Sequence, residues 1–231
     1  MALQLELGIK PTIKYSFENY VVSEHNTQAV SHLKYMVANI ESTYIYLWGA
    51  TRVGKSHLLH AVSEYAVKYE LSATYFSFEN IEAVTPDLLD SLEAYDIICL
   101  DDIQYIAGNK LWEEALFGLY NLIKDANKIL IITSNCAVAN LNIKLADLKS
   151  RLVSGISYHL KFLSDEDKVK LLQINANERG MTLSSELAQF LISRGSRDIA
   201  GLFIMLDKLD EASLRYKRKL TIPFVKSVLG I

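Results

Sequence analysis

The octapeptide Gly49-Ala50-Thr51-Arg52-Val53-Gly54-Lys55-Ser56 constrains this chain more than any other feature. It follows the compact aromatic and branched run Tyr44-Ile45-Tyr46-Leu47-Trp48. It precedes a segment, Ser56 to Tyr69, in which Leu58, Leu59, Ala61, Val62, Tyr65, Ala66 and Tyr69 recur at helical spacing. A G-x-x-x-x-G-K-S between a strand and a helix is a phosphate-binding loop: backbone N–H groups of the loop and of the helix N-terminus aim at phosphate oxygens. Lys55 adds a point charge near the β- and γ-phosphates, and Ser56 offers a hydroxyl to Mg²⁺. The expected nucleotide-binding set therefore runs through Gly49, Ala50, Thr51, Arg52, Val53, Gly54, Lys55 and Ser56.

The loop predicts a parallel sheet, and the rest of the first 162 residues agrees. Ala73 to Phe78, Ile97 to Leu100, Lys128 to Thr133 and Tyr158 to Leu160 read as further strands. Leu111, Trp112, Ala115, Leu116, Leu119, Tyr120 and Ile123 form a helical stripe between two of them. This β-α-β-α order predicts an α/β fold, a parallel sheet covered by helices. After about Phe162 the strand signal stops. Ser164-Asp165-Glu166-Asp167 opens a helix through Arg179 in the manner of a capping box, closed by Gly180. Ser184 to Arg194, closed by Gly195, and Asp198 to Tyr216 follow as helices, and Pro223 sits where the first turn of a fourth would start. The organisation expected is an extended arm over 1–14, an α/β base over 15–162 and a small all-helical lid over 163–231.

Asp101 and Asp102 close the buried strand Ile97 to Leu100. A carboxylate there faces the phosphate loop and can hold Mg²⁺, which assigns Asp101 to the metal with Ser56; Asp102 stands where an acid would orient or deprotonate a water. Asn135, ending Ile131-Ile132-Thr133-Ser134-Asn135, is either a turn residue or a polar group touching the attacking water. Arg151 and Arg197 are bare arginines by sequence alone. With 24 Lys+Arg against 27 Asp+Glu the net charge is −3. That lacks the basic surplus of a dedicated DNA-binding domain. Cys99 and Cys136 make neither a disulfide framework nor a zinc site. No apolar run reaches the length of a membrane span, and the start has neither a basic nor an apolar leader region, so a cytoplasmic protein is expected.

Taken together, these residues resemble the DnaA replication-initiator family of AAA+ ATPases, from Tyr15 to Ile231. Leu100-Asp101-Asp102-Ile103-Gln104-Tyr105-Ile106-Ala107-Gly108 is similar to that family's Walker B stretch, and Gly54-Lys55-Ser56-His57-Leu58-Leu59-His60-Ala61 to its Walker A continuation. Ser16-Phe17-Glu18-Asn19-Tyr20-Val21 resembles the box that lies against adenine and ribose. The resemblance thus adds Tyr20, Val21 and His57 to the nucleotide set. It also places Asn135 at sensor 1, Arg197 at sensor 2 and Arg151 in the box carrying the arginine finger, which acts in trans. The family has Gly at the position of Arg52, so this loop departs from the pattern at a residue that lacks glycine's backbone freedom.

Gln4-Leu5-Glu6-Leu7-Gly8-Ile9 is similar to the peptide by which proteins dock on the replicative sliding clamp, with Gln4 in a polar subsite and Leu5, Leu7 and Ile9 in an apolar one. The sequence shows no helix-turn-helix DNA reader after the lid, so little direct DNA binding is expected. The resemblance implies ADP or ATP with Mg²⁺ as ligands. It implies three partners: the DnaA initiator, the clamp (the polymerase III β subunit) on DNA, and a second copy in a dimer. The function implied is regulatory, recruitment to the loaded clamp and stimulation of hydrolysis of DnaA-bound ATP, with weak intrinsic ATPase left open. The alternative is a helicase-loader-like or other remodelling ATPase of the same family.

Overall fold

The computed structural model describes residues 15–195 and 198–231. The expectations for Gln4, Leu5, Leu7, Ile9 and Arg197 lie outside the described residues. The chain separates into two packing units, Ser16–Leu171 and a second that contains Leu172–Ile231.

The first unit holds a five-stranded, wholly parallel sheet of β1 (Tyr44–Trp48), β2 (Ala73–Ser77), β3 (Ile97–Asp101), β4 (Ile129–Ser134) and β5 (Ile156–His159). The spatial order is β2-β3-β4-β1-β5. β3 and β4 are buried along their whole length, which is why they read as unbroken apolar runs. Alternate residues feed two separate cores. Ile45, Leu47, Ile97, Cys99, Ile129 and Ile131 face α1 (Thr27–Asn39) and α2 (Lys55–Ala66) through Leu33, Met36, Leu58 and Val62. Tyr46, Ile98, Leu100, Leu130 and Ile132 face α3 (Lys110–Asp125) and α4 (Ala146–Val153) through Trp112, Leu116, Leu119 and Leu148.

Two parts of this unit go beyond the sequence expectations. α1 was not anticipated, although Ala29, Val30, Leu33, Met36 and Val37 form its buried stripe. Its start carries no side-chain cap, because the Asn26 side chain is spent on the preceding turn, accepting from Ser23 N–H at 2.7 Å and donating to the Val21 carbonyl at 3.0 Å. Residues Phe78–Ala83, kinked at Asn80, and Pro86–Ala94 form two 3₁₀ stretches.

α5 (Asp165–Glu178) opens as the capping pattern suggested: Ser164 Oγ accepts from Asp167 N–H at 3.1 Å and donates to its carboxylate at 2.9 Å. The unit boundary falls inside this helix, between Leu171 and Leu172, further along the chain than the change in strand signal at Phe162. The second unit continues with α6 (Ser185–Arg194), α7 (Ile199–Tyr216) and α8 (Ile222–Leu229). Ser184, Asp198 and Thr221 cap these helices by accepting from Leu187, Gly201 and Phe224 N–H, and Pro223 lies in the first turn of α8. Among the described residues no helix is long and apolar enough to cross a membrane.

Among the described residues, the buried Tyr44 hydroxyl has no hydrogen-bond partner. Tyr44, at the start of β1, packs edge-on against Tyr120 at 5.5 Å. Burial pushes this phenol well above its ordinary pKa. An unsatisfied buried hydroxyl costs about 1 kcal/mol or more, so Tyr44→Phe is expected to raise the melting temperature by roughly 2–4 °C. A lower melting temperature for that variant would show that the hydroxyl is satisfied.

Candidate functional site

The sheet order brings the C-terminal ends of β1, β3 and β4 side by side, the edge at which open parallel sheets bind ligands. Gly49, directly after β1, donates its N–H to the Ser134 carbonyl at 3.2 Å, tying the loop to the end of β4. A Cβ at Gly49 would stand 2.3 Å from the Leu160 carbonyl oxygen, so only glycine lets the two backbones meet. Gly54 has φ +95° and abuts the Tyr20 ring, 3.0 Å from where a Cβ would be. Arg52 has φ +70°, the left-handed conformation a glycine would take freely. An L side chain there costs roughly 1–2 kcal/mol, which the loop carries as strain.

Lys55 is the first residue of α2 and is buried. Its ammonium donates to the loop's own carbonyls, Gly49 at 3.0 Å and Ala50 at 3.1 Å. Burial pushes its pKa down, and the charges of Asp102 and Asp101 pull it back up. A cation coordinated by carbonyl oxygens at the loop's mouth is placed where phosphate oxygens would exchange for them. Thr51 and Ser56 are exposed beside it, while Val53 is buried beneath the loop.

The segment Ser16–Val21 packs on this loop. Ser16 N–H donates to Asn19 Oδ1 at 2.9 Å, and His57 Nε2 stands 3.0 Å from both the Ser16 carbonyl and Asn19 Oδ1. Both partners are acceptors, so this nitrogen carries the proton. Tyr20 meets the His57 ring edge-on at 5.1 Å, its hydroxyl receives Asn26 Nδ2 at 3.4 Å, and Val21 is buried. The structure therefore brings Tyr20 and His57 together beside the loop, and Val21 is buried next in the chain.

Asp101 ends β3 with 1% of its surface exposed. Its carboxylate accepts from the Thr133 hydroxyl on one oxygen and from the Tyr75 hydroxyl, at 2.8 Å, on the other. Asp102 follows in the left-handed region, φ +59°, which a short polar side chain tolerates. Its N–H donates to Thr133 Oγ1 at 2.9 Å. Gln104 then bridges the acid to Asn135: Nε2 donates to Asp102 Oδ1 at 2.9 Å, and Oε1 accepts from Asn135 N–H at 3.1 Å. Asn135 itself is exposed.

Mg²⁺ prefers hard oxygen ligands and is held through one or two protein groups plus substrate phosphates. The donor set of Ser56 hydroxyl and buried Asp101 carboxylate fits that chemistry. Among the described residues no group of three His, Cys, Asp or Glu could hold a metal alone, and this mode needs none. Arg151 lies on α4, half-buried, on a helix anchored by the buried Leu148 and Leu152.

Tyr75, Thr133 and Gln104 were not singled out from the sequence. Thr133 had a signal, a hydroxyl within an apolar strand that ends beside the loop; Gln104 lay two residues past the acid pair. Tyr75 had none, since only the pairing of β2 with β3 brings its hydroxyl to Asp101.

The bacterial DnaA ATPase domain family matches residues 12–159, and the lid domain of Hda matches residues 165–229. An uncharacterised protein of Haemophilus influenzae is 39% identical over 232 residues, covering 100% of both chains. Domain III of the Thermotoga maritima replication initiation protein DnaA superposes with a TM-score of 0.80 at 21% identity, over 95% of this chain and 97% of that one. A replication initiator DnaA bound to AMPPCP and single-stranded DNA gives 0.74 at 22% identity, over 90% and 69%. The Holliday junction branch migration motor RuvB of Thermotoga maritima gives 0.72 at 15% identity, over 94% and 71%. These likenesses confirm the AAA+ fold of a parallel sheet with a helical lid, and the sequence matches place the chain itself: it belongs to the DnaA family of AAA+ ATPases, with the lid of the Hda branch.

Proposed function

We propose that this chain is an Hda-type regulator that binds an adenine nucleotide, docks on the DNA-loaded sliding clamp and stimulates hydrolysis of ATP held by DnaA. The observation that carries this reading is the pairing, on one chain, of a DnaA ATPase domain and an Hda lid, with the phosphate loop and both acids in place. Similar DnaA proteins have been solved with AMPPCP bound, which supports ADP or ATP as the ligand here.

In this reading the N–H groups from Gly49 to Ser56 orient the phosphates, Lys55 exchanges its loop carbonyls for phosphate oxygens, and Tyr20, Val21 and His57 support the base and ribose side. Ser56 and Asp101 would hold Mg²⁺, which when bound would neutralise charge on the phosphate oxygens. Asp102 stands ready to accept a water proton at its carboxylate, with Asn135 beside it and Arg197 as sensor 2. Nucleotide binding of this kind stabilises the competent conformation by mass action and sets self-association, a dimer. The chain's action on DnaA runs through Arg151, which stabilises negative charge developing on the γ-phosphoryl group bound by the neighbouring subunit.

Clamp docking belongs to the arm, through Gln4, Leu5, Leu7 and Ile9. Retention of this protein on DNA-loaded clamp is expected to fall at least about tenfold in Gln4→Ala, one lost polar anchor being worth about that much. Undiminished retention would remove the arm from the mechanism. The alternative, a remodelling ATPase of the same family, draws on the intact Asp101–Asp102 pair and predicts steady ATP turnover without DnaA.

A further inference from the structure

We propose that Tyr75 is a positioning residue for the magnesium site, acting through Asp101; the inference rests on the nucleotide-binding reading above. The Asp101 carboxylate is buried, so its two oxygens must be satisfied inside the protein. The Thr133 hydroxyl holds one and the Tyr75 hydroxyl the other, at 2.8 Å. Each carboxylate oxygen can accept about two hydrogen bonds. The two hydroxyls therefore fix the plane of the group and still leave each oxygen a lone pair for the metal or its water.

Tyr75 is itself packed from two directions. β2 lies beside β3 with Tyr75 in register with Cys99, two residues before the acid. Its ring stacks on His60 of α2 with centroids 4.1 Å apart and planes 28° apart. α2 is also the helix that carries Lys55 and Ser56, so one packed tyrosine spans the helix with the metal hydroxyl and the strand with the metal acid. Phenylalanine would serve this packing equally well; only the hydroxyl reaches Asp101. Outer groups that orient metal ligands in this way typically govern metal affinity by 10–100-fold.

The test is the Mg²⁺ dependence of binding of a fluorescent ADP analogue to the full chain, wild type against Tyr75→Phe. Tyr75→Phe is expected to match wild type in EDTA and to need about 10–100-fold more Mg²⁺ for half-maximal tightening. Electron paramagnetic resonance of Mn²⁺ titrated into the ADP complex should show the same displacement. An unchanged Mg²⁺ midpoint overturns the inference while leaving nucleotide binding intact. So does an equal loss of affinity with and without Mg²⁺, the mark of a hydroxyl that only supports the fold. A wild-type chain that binds the analogue in neither condition overturns the nucleotide reading and this inference together.

Discussion

Arg151→Ala is expected to lose stimulation of DnaA-bound ATP hydrolysis by about 10³–10⁵-fold, the range over which arginine fingers act. Its own nucleotide affinity and clamp retention should stay unchanged. Arg151 lies on α4, a short helix whose Leu148 and Leu152 are buried on the α3 side of the sheet, and is itself half-buried. Among the described residues, no hydrogen bond or ion pair joins its side chain to the phosphate loop or the two acids, as expected of a residue that serves another subunit's nucleotide. Arg151→Lys should recover little, because an ammonium keeps the charge but not the planar fork of donors. Single-turnover hydrolysis on DnaA measures the effect directly, and retained stimulation in Arg151→Ala would move the finger elsewhere.

Glu113→Ala should destabilise the α/β unit by about 3–5 kcal/mol, because three backbone N–H groups lose a charged acceptor and each such bond is worth about 1.5–3 kcal/mol. Glu113 is 1% exposed on α3, and its carboxylate accepts the N–H groups of Gly108 at 2.7 Å, Lys144 at 3.0 Å and Leu145 at 2.7 Å. Those donors belong to the turn before α3 and to the segment leading into α4. Alanine leaves all three N–H groups without this acceptor. Glutamine keeps one acceptor oxygen and turns an amide donor towards the remaining N–H groups, so Glu113→Gln should lose an intermediate amount. Total stabilities of single domains are about 5–15 kcal/mol, so the alanine variant is expected to melt far below wild type and to show a lower denaturant midpoint at similar slope. A loss under about 1 kcal/mol would mean that water satisfies the loop instead.

Much of the site was legible because it is local. The phosphate loop is eight consecutive residues, the two acids follow a four-residue apolar run, and both lie at strand ends whose character shows in branched and aromatic side chains. Arg52 was legible as a departure, and its φ of +70° shows why: the loop turns there whatever residue is present. What escaped depends on long-range pairing. Thr133 reaches Asp101 only because β3 and β4 are neighbours, and Tyr75 only because β2 sits beside β3. Glu113 reads as one more surface acid unless its position is followed round the helix, where it falls beside Trp112, Leu116 and Tyr120 on the buried face. α1 escaped because the Asn that would announce its start caps the turn before it instead.

The regulatory claim is tested most directly by single-turnover hydrolysis of ATP pre-bound to purified DnaA, with this protein added in the presence and absence of DNA-loaded clamp. The expected result is acceleration that depends on the clamp. Unchanged hydrolysis in both conditions, with robust ATP turnover by this chain alone, would contradict it and leave a remodelling ATPase in its place.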